Sequence, residues 1–159
     1  MQNMNLFTEA ELISFGEKIG KNLNAPAIIE LIGDVGSGKT TLTRGIASGL
    51  GIKEPVSSPS FTISKHYAFA KNNHEMNLVH YDFYRLEDPG LMVEDLSESL
   101  TDKNTITIIE WADTVANILP TNHIIITITL NDDGSRHIEL SGIDAQALAK
   151  ITETSEVIK

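Results

Sequence analysis

Residues 27–40 read Ala27-Ile28-Ile29-Glu30-Leu31-Ile32-Gly33-Asp34-Val35-Gly36-Ser37-Gly38-Lys39-Thr40, and their reading decides the fold. The first six are apolar apart from Glu30, which predicts a mostly buried strand of the type found at the centre of a parallel sheet. The next eight fit the pattern G-x-x-x-x-G-K-[ST]. Glycines let the backbone curl so that successive N–H groups face phosphate oxygens, and a following helix start adds the positive end of its dipole. In that arrangement Lys39 reaches the β- and γ-phosphates and the Thr40 hydroxyl ligates Mg2+. The bland alternative is a chance glycine-rich turn. Context argues against it, because the loop leaves a strand and opens a helix expected over 40–50 and closed by Gly51. Lys39 is expected to be an exposed loop residue, its charge reserved for phosphate.

Working outward, Thr8 with Glu11 three residues later forms a capping-box pattern. Leu12, Phe15, Ile19 and Leu23 then repeat at helical spacing, so a helix is expected from about Thr8 to Leu23, stopped by Asn24-Ala25-Pro26. Beyond the loop helix, residues 53–60 hold two prolines and three serines, which excludes regular structure throughout. Phe61 to Tyr67 alternates as a strand, Asn72-Asn73-His74-Glu75 reads as a turn, and Met76 to Tyr84 as the returning strand. A helix is expected from Asp88-Pro89 to about Leu100, a strand over Thr105 to Glu110, and a short helix ending before Pro120. Strands over His123 to Leu130 and Arg136 to Leu140 flank Asn131-Asp132-Asp133-Gly134, a hairpin signal. The polar last nineteen residues promise at most a loose helix. This order predicts an α/β, three-layer P-loop NTPase-like fold, its central sheet mainly parallel with antiparallel edge strands. We read residues 1–159 as one P-loop domain with its core at about 8–141.

Composition narrows the function classes. A chain of 159 residues, 41% hydrophobic and 21% charged, is in the ordinary globular range. It has no run of about 18 apolar residues to span a membrane. The first residues carry no basic stretch and apolar block, so the cytoplasm is expected. The absence of cysteine excludes disulfides, thiolate metal sites and cysteine nucleophiles. Twelve basic against 22 acidic residues give a net charge of −10, and only Arg44, Arg85 and Arg136 are arginines. No basic face is available to displace counterions from nucleic acid, so strong RNA or DNA binding by this chain alone is not expected.

P-loop enzymes place a carboxylate at the end of a neighbouring strand to hold the magnesium shell. Two acids qualify: Asp82, ending Leu78-Val79-His80-Tyr81-Asp82, and Glu110, ending Ile106-Thr107-Ile108-Ile109-Glu110. Each has the alternative of a solvated acid at a strand end, and spacing does not say which meets the metal. Trp111, the only tryptophan, reads as a packing residue. His80 reads as a hydrogen-bonded structural histidine rather than a general base. Arg85 is either an internal arginine finger or an ion-pair partner of Asp82 or Glu87. Ser57 to Thr62 lies where P-loop switches sense the γ-phosphate, but a proline-shaped surface turn accounts for it equally well.

Together these segments resemble a known family, the small P-loop ATPases of bacterial tRNA threonylcarbamoyladenosine biosynthesis called TsaE. The resemblance is carried by residues 33–45, by Ser58-Pro59-Ser60-Phe61-Thr62, by His80-Tyr81-Asp82-Phe83-Tyr84-Arg85-Leu86 and by Ile109-Glu110-Trp111, across roughly Thr8 to Leu140. A P-loop alone is unspecific; the H-x-D-x-Y-R-L and E-W pieces make the match specific. The resemblance implies binding and hydrolysis of ATP with Mg2+. It also implies action through a threonylcarbamoyl-transferase heterodimer of TsaB and TsaD type subunits that modifies adenosine 37 of tRNAs reading ANN codons, so that tRNA is met only indirectly. Carried over by position, Gly33, Asp34, Val35, Gly36, Ser37, Gly38, Lys39, Thr40 and Thr41 bind nucleotide, and Arg136 matches a basic position near it. Thr40 and Glu110 serve the metal, and Asp82 and Glu110 are the catalytic acids. Two departures are visible: Ser37 replaces the usual alanine and Ser60 the usual threonine. The competing expectations are a small-molecule kinase, disfavoured by the shortage of arginines, and a nucleotide-binding regulatory module. No N-K-x-D motif for guanine is present, which favours ATP.

Overall fold

Two of the expected strands, 27–32 and 105–110, lie side by side and parallel at the middle of a seven-stranded sheet. The computed structural model describes residues 1–59 and 62–153. In chain order its elements are β1 (Gln2–Leu6), α1 (Glu9–Asn22), β2 (Ala27–Ile32), α2 (Lys39–Gly49), β3 (Ser64–Lys71), β4 (His74–Asp82), α3 (Met92–Thr101), β5 (Thr105–Glu110), a 3-10 segment (Ala112–Ile118), β6 (Ile124–Leu130), β7 (Arg136–Ser141) and α4 (Ala145–Thr152). The sheet order is β1-β7-β6-β2-β5-β4-β3. Strands β6, β2, β5 and β4 run parallel. Antiparallel pairing of β7 with β6, β1 with β7 and β3 with β4 completes the two edges. The α/β sheet with a parallel centre and antiparallel edges is the one expected.

Alternate strand residues feed two cores. Ile29, Leu78, Ile106 and Ile108 pack with Leu12, Phe15 and Ile19 of α1 and Leu42 and Ile46 of α2. Val79, Tyr81 and Ile109 pack instead with Leu96 of α3 and Val115 of the 3-10 segment. Every residue of β5 is buried, Thr105, Thr107 and Glu110 included, as suits a strand near the centre of a sheet covered on both faces.

The face carrying α1 and α2 is unusually tight. A Cβ added at Gly20 would lie 2.2 Å from the Ile46 carbonyl oxygen, and one at Gly49 would lie 2.2 Å from that of Glu17. Glycine at these two positions lets the helices touch backbone to backbone, so α2 is seated firmly behind the loop that precedes it. The capping box at the start of α1 is present, with the Glu11 amide donating to Thr8 Oγ1 at 3.1 Å and the Thr8 amide to Glu11 Oε2 at 2.9 Å.

Several boundaries differ from expectation. The polar N-terminus forms β1, an edge strand whose Met4 and Leu6 face the core. Helix α4 is capped by Asp144 and buries Ile151, so packed elements lie on both sides of the span 8–141. The expected strand start at Phe61, like Ser60, lies outside the described residues, and β3 begins at Ser64. The hairpin turn is shorter than expected because Asn72 and Asn73 both take positive φ, 53° and 62°, the geometry of a two-residue turn. Helix α3 starts at Met92 rather than Asp88. Asp88 Oδ1 instead accepts the Gly90 amide at 2.9 Å, and the Met92 amide bonds the Pro89 carbonyl in a separate turn.

Candidate functional site

The C-terminal ends of β2, β5 and β4 share one edge of the sheet. Register pairs Leu31 with Glu110 and Glu110 with Asp82, so the two strand-end acids lie beside each other and beside the strand that launches the glycine loop. This is the edge at which open α/β sheets bind ligands. A cavity of about 400 Å3 opens here, and its walls include Val35, Gly36, Gly38, Lys39, Thr40, Thr41, Ser58, Asp82, Glu110, Trp111 and Arg136.

The loop is shaped from within. Gly36 and Gly38 take φ of 81° and 114°, values that a side chain would strain. The Ser37 amide donates to the Asp34 carbonyl at 3.1 Å, closing a turn, and the Leu42 amide bonds the Gly38 carbonyl at 2.8 Å as α2 begins. From β7, Arg136 Nε donates to the Ser37 carbonyl at 2.8 Å. Arg136 thus holds the crown of the loop from 99 residues away in sequence.

Lys39 overturns one expectation: it is the first residue of α2 and only 6% exposed. The loop folds over it, with Nζ donating to the carbonyls of Gly33 at 2.6 Å and Asp34 at 2.9 Å. The ammonium also sits 4.7 Å from the centroid of the Trp111 ring. Burial lowers the Lys39 pKa from its ordinary value, against the raising effects of Glu110, Asp82 and Asp34 in that order. The group is a desolvated cation held among carbonyls, a π-face and carboxylates, and loop phosphates would add the strong acceptors that best satisfy it.

The two acids differ. Glu110 is buried, with Oε1 at 2.9 Å from Nε2 of the fully buried His80. Asp82 is half-buried, accepting the Ser58 hydroxyl on Oδ2 at 3.1 Å and the Tyr84 amide on Oδ1 at 2.9 Å. The reading of His80 as a hydrogen-bonded structural histidine agrees with this geometry. Arg85 takes φ of 59° and lies 4.9 Å from the Tyr84 ring centroid. Among the described residues it forms neither of the ion pairs considered for it.

The reading of Trp111 as a packing residue agrees with its place against the second core, but its position over Lys39 was not foreseen. Its φ of 57° turns the chain sharply after β5, so the half-buried indole covers Lys39 and lies 4.8 Å from the Tyr84 ring. A single tryptophan immediately after a strand-end acid was the available signal. Within the 57–62 segment, Ser58 reaches Asp82, and Lys65 Nζ donates to the Ser57 hydroxyl at 2.5 Å. No group of three or more His, Asp or Glu that could cage a metal exists among the described residues. A divalent ion placed here would take most of its shell from phosphate oxygens and water, as magnesium in phosphoryl-transfer sites does.

The family model described as threonylcarbamoyl adenosine biosynthesis protein TsaE matches residues 6–138. This chain belongs to the TsaE family. Among its relatives, the tRNA threonylcarbamoyladenosine biosynthesis protein TsaE of Nostoc sp. is 33% identical over 144 residues, covering 89% of this chain and 86% of the relative. The protein of the same name from Haemophilus influenzae is 34% identical over 137 residues, covering 83% and 84%. That of Bacillus subtilis is 38% identical over 117 residues, covering 73% and 70%. The crystal structure of Bacillus subtilis YdiB superposes with a TM-score of 0.73 at 27% identity, covering 96% of this chain and 92% of that one. The family's relatives carry the biosynthetic role in their names, which favours the principal expectation over a small-molecule kinase or a regulatory module. No helix among the described residues is long and apolar enough to cross a membrane.

Proposed function

We propose that this chain binds ATP with Mg2+ at the glycine loop and hydrolyses it in support of threonylcarbamoyl modification of adenosine 37 in tRNAs reading ANN codons. The observation that carries this reading is the convergence of Lys39, Thr40, Asp82 and Glu110 on one cavity at the ends of β2, β4 and β5. In this reading the loop from Gly33 to Gly38 offers backbone N–H groups to phosphate oxygens. Lys39 exchanges the Gly33 and Asp34 carbonyls for phosphate, while Thr40 and Glu110 serve the metal shell. Magnesium, when bound, neutralises phosphate charge and polarises the transferred group. Asp82 would orient the attacking water, and its bond to Ser58 would link that role to the loop before β3. Arg136 keeps the loop crown in place.

Positive charge is scarce around this apparatus. Arg136 already donates to Ser37, and Arg85 lies on Tyr84. An arginine finger is worth roughly 10³–10⁵ in rate where one is supplied. The isolated chain is therefore proposed to be a slow, cytoplasmic ATPase that the TsaB and TsaD type transferase heterodimer stimulates, with tRNA contacted by those partners. The acidic balance of −10 is consistent with leaving tRNA to them. The test is steady-state ATP hydrolysis with and without purified heterodimer at matched salt. The rate is expected to rise with the heterodimer; equal rates, with binding confirmed separately, would overturn the proposal.

A further inference from the structure

Strand β4 brings a second polar side chain to the site besides Asp82. His80 lies two residues earlier, hence on the same face of the strand, and is opposite Ile108 of β5. It has no solvent exposure, and its Nδ1 has no hydrogen-bond partner among the described residues. A buried N–H without an acceptor is more costly than an unused lone pair, so the ring proton belongs on Nε2. Nε2 meets one atom, Glu110 Oε1, at 2.9 Å. The hydrogen bond therefore runs from His80 to Glu110. A fully buried ring packed in the sheet allows little rotation, so this bond sets the direction of a carboxylate that ends β5 at the cavity wall.

We propose that His80 is a positioning residue for Glu110: it touches neither nucleotide nor metal, and holds one carboxylate oxygen so that the other is presented to the metal shell. This rests on the reading of Glu110 as the metal-side acid. Groups that orient metal-side ligands in this way typically change affinity 10- to 100-fold when removed.

The test uses the full chain with a non-hydrolysable ATP analogue and reads Mn2+ binding from the electron paramagnetic resonance of free Mn2+. His80→Leu and His80→Asn are expected to weaken Mn2+ by about tenfold, while affinity for the metal-free analogue is retained. His80→Gln, whose amide N–H reaches about as far as Nε2, is expected to restore it. In a Glu110→Gln background, His80→Leu should have no further effect. Should His80→Leu fail to unfold cooperatively, the Gln and Asn variants decide, since they differ chiefly in reach. Equal Mn2+ affinity in those two variants, or an undiminished effect of His80→Leu in the Glu110→Gln background, would overturn the positioning role. If Glu110→Gln alone binds Mn2+ like the parent, the metal-side reading of Glu110 fails and this inference with it.

Discussion

The ends of β4 and β5 look alike in sequence, each an apolar strand closing on an acid, yet the structure treats them in opposite ways. Glu110 lies in the middle of the sheet, buried on both sides and bonded to a buried histidine. Asp82 lies one strand nearer the edge, half-buried, and bonds Ser58 and the backbone of Tyr84. One acid is built into a rigid core. The other is bonded to Ser58 and Tyr84, which lie outside the sheet. Charge at the first position acts in a low-dielectric setting and counts for more than charge at the second, where water screens it. In the proposed function the difference divides the labour at the site: a core-bound acid for the metal shell, and a half-buried acid bonded to Ser58.

Four substitutions sharpen or break this comparison. The largest effect is expected for Lys39→Ala, which removes the cation that both acids face. ATP affinity or turnover should fall by at least about 10²-fold while unfolding stays cooperative, as checked by calorimetric titration, steady-state hydrolysis and thermal melting. Normal hydrolysis in this variant would end the P-loop assignment.

Glu110→Ala comes next. Turnover should drop about 10²-fold with much of the nucleotide binding retained, because the backbone cradle remains while the metal shell loses its acid. The measurement is the magnesium dependence of the rate. An unchanged dependence would transfer the metal role to Asp82 and reverse the comparison.

Asp82→Ala should cost less, about tenfold in turnover, since its carboxylate is partly solvated. Its magnesium dependence should match that of the parent. The smallest effect is expected for Ser58→Ala, which deletes a hydrogen bond to that carboxylate. A net bond of about 1 kcal/mol corresponds to roughly fivefold in rate. An Asp82→Ala, Ser58→Ala double variant should be no slower than Asp82→Ala alone. Additive losses would mean that Ser58 acts on something other than Asp82.

Much of this arrangement was legible in the residues. The apolar run before Gly33, the capping box at Thr8 and Glu11, and the turn at Asn131 to Gly134 are signals written in short stretches of chain, although the strand at 27–32 is held by distant partners. Strand β1 was not legible, because Gln2-Asn3-Met4-Asn5 buries little and forms a strand only through pairing with β7. The start of α3 was misread because Asp88 and Pro89 suit a turn as well as a helix start. Lys39 was misjudged for a related reason: a lysine in a glycine loop reads as exposed, and only folding the loop back over it supplies the carbonyls and the indole that bury it.

By itself the sequence determined the P-loop, the α/β alternation that places it after a central strand, and the two candidate acids. It determined these because periodicity, glycine placement and strand-end chemistry act over short stretches of chain. The tertiary structure alone decided which acid is buried, that His80 bonds Glu110, that Trp111 covers Lys39 and that Arg136 holds the loop from β7. Those four facts join residues that are up to 99 positions apart. They depend on strand order and register, and so on how the whole sheet shares its core rather than on any one segment.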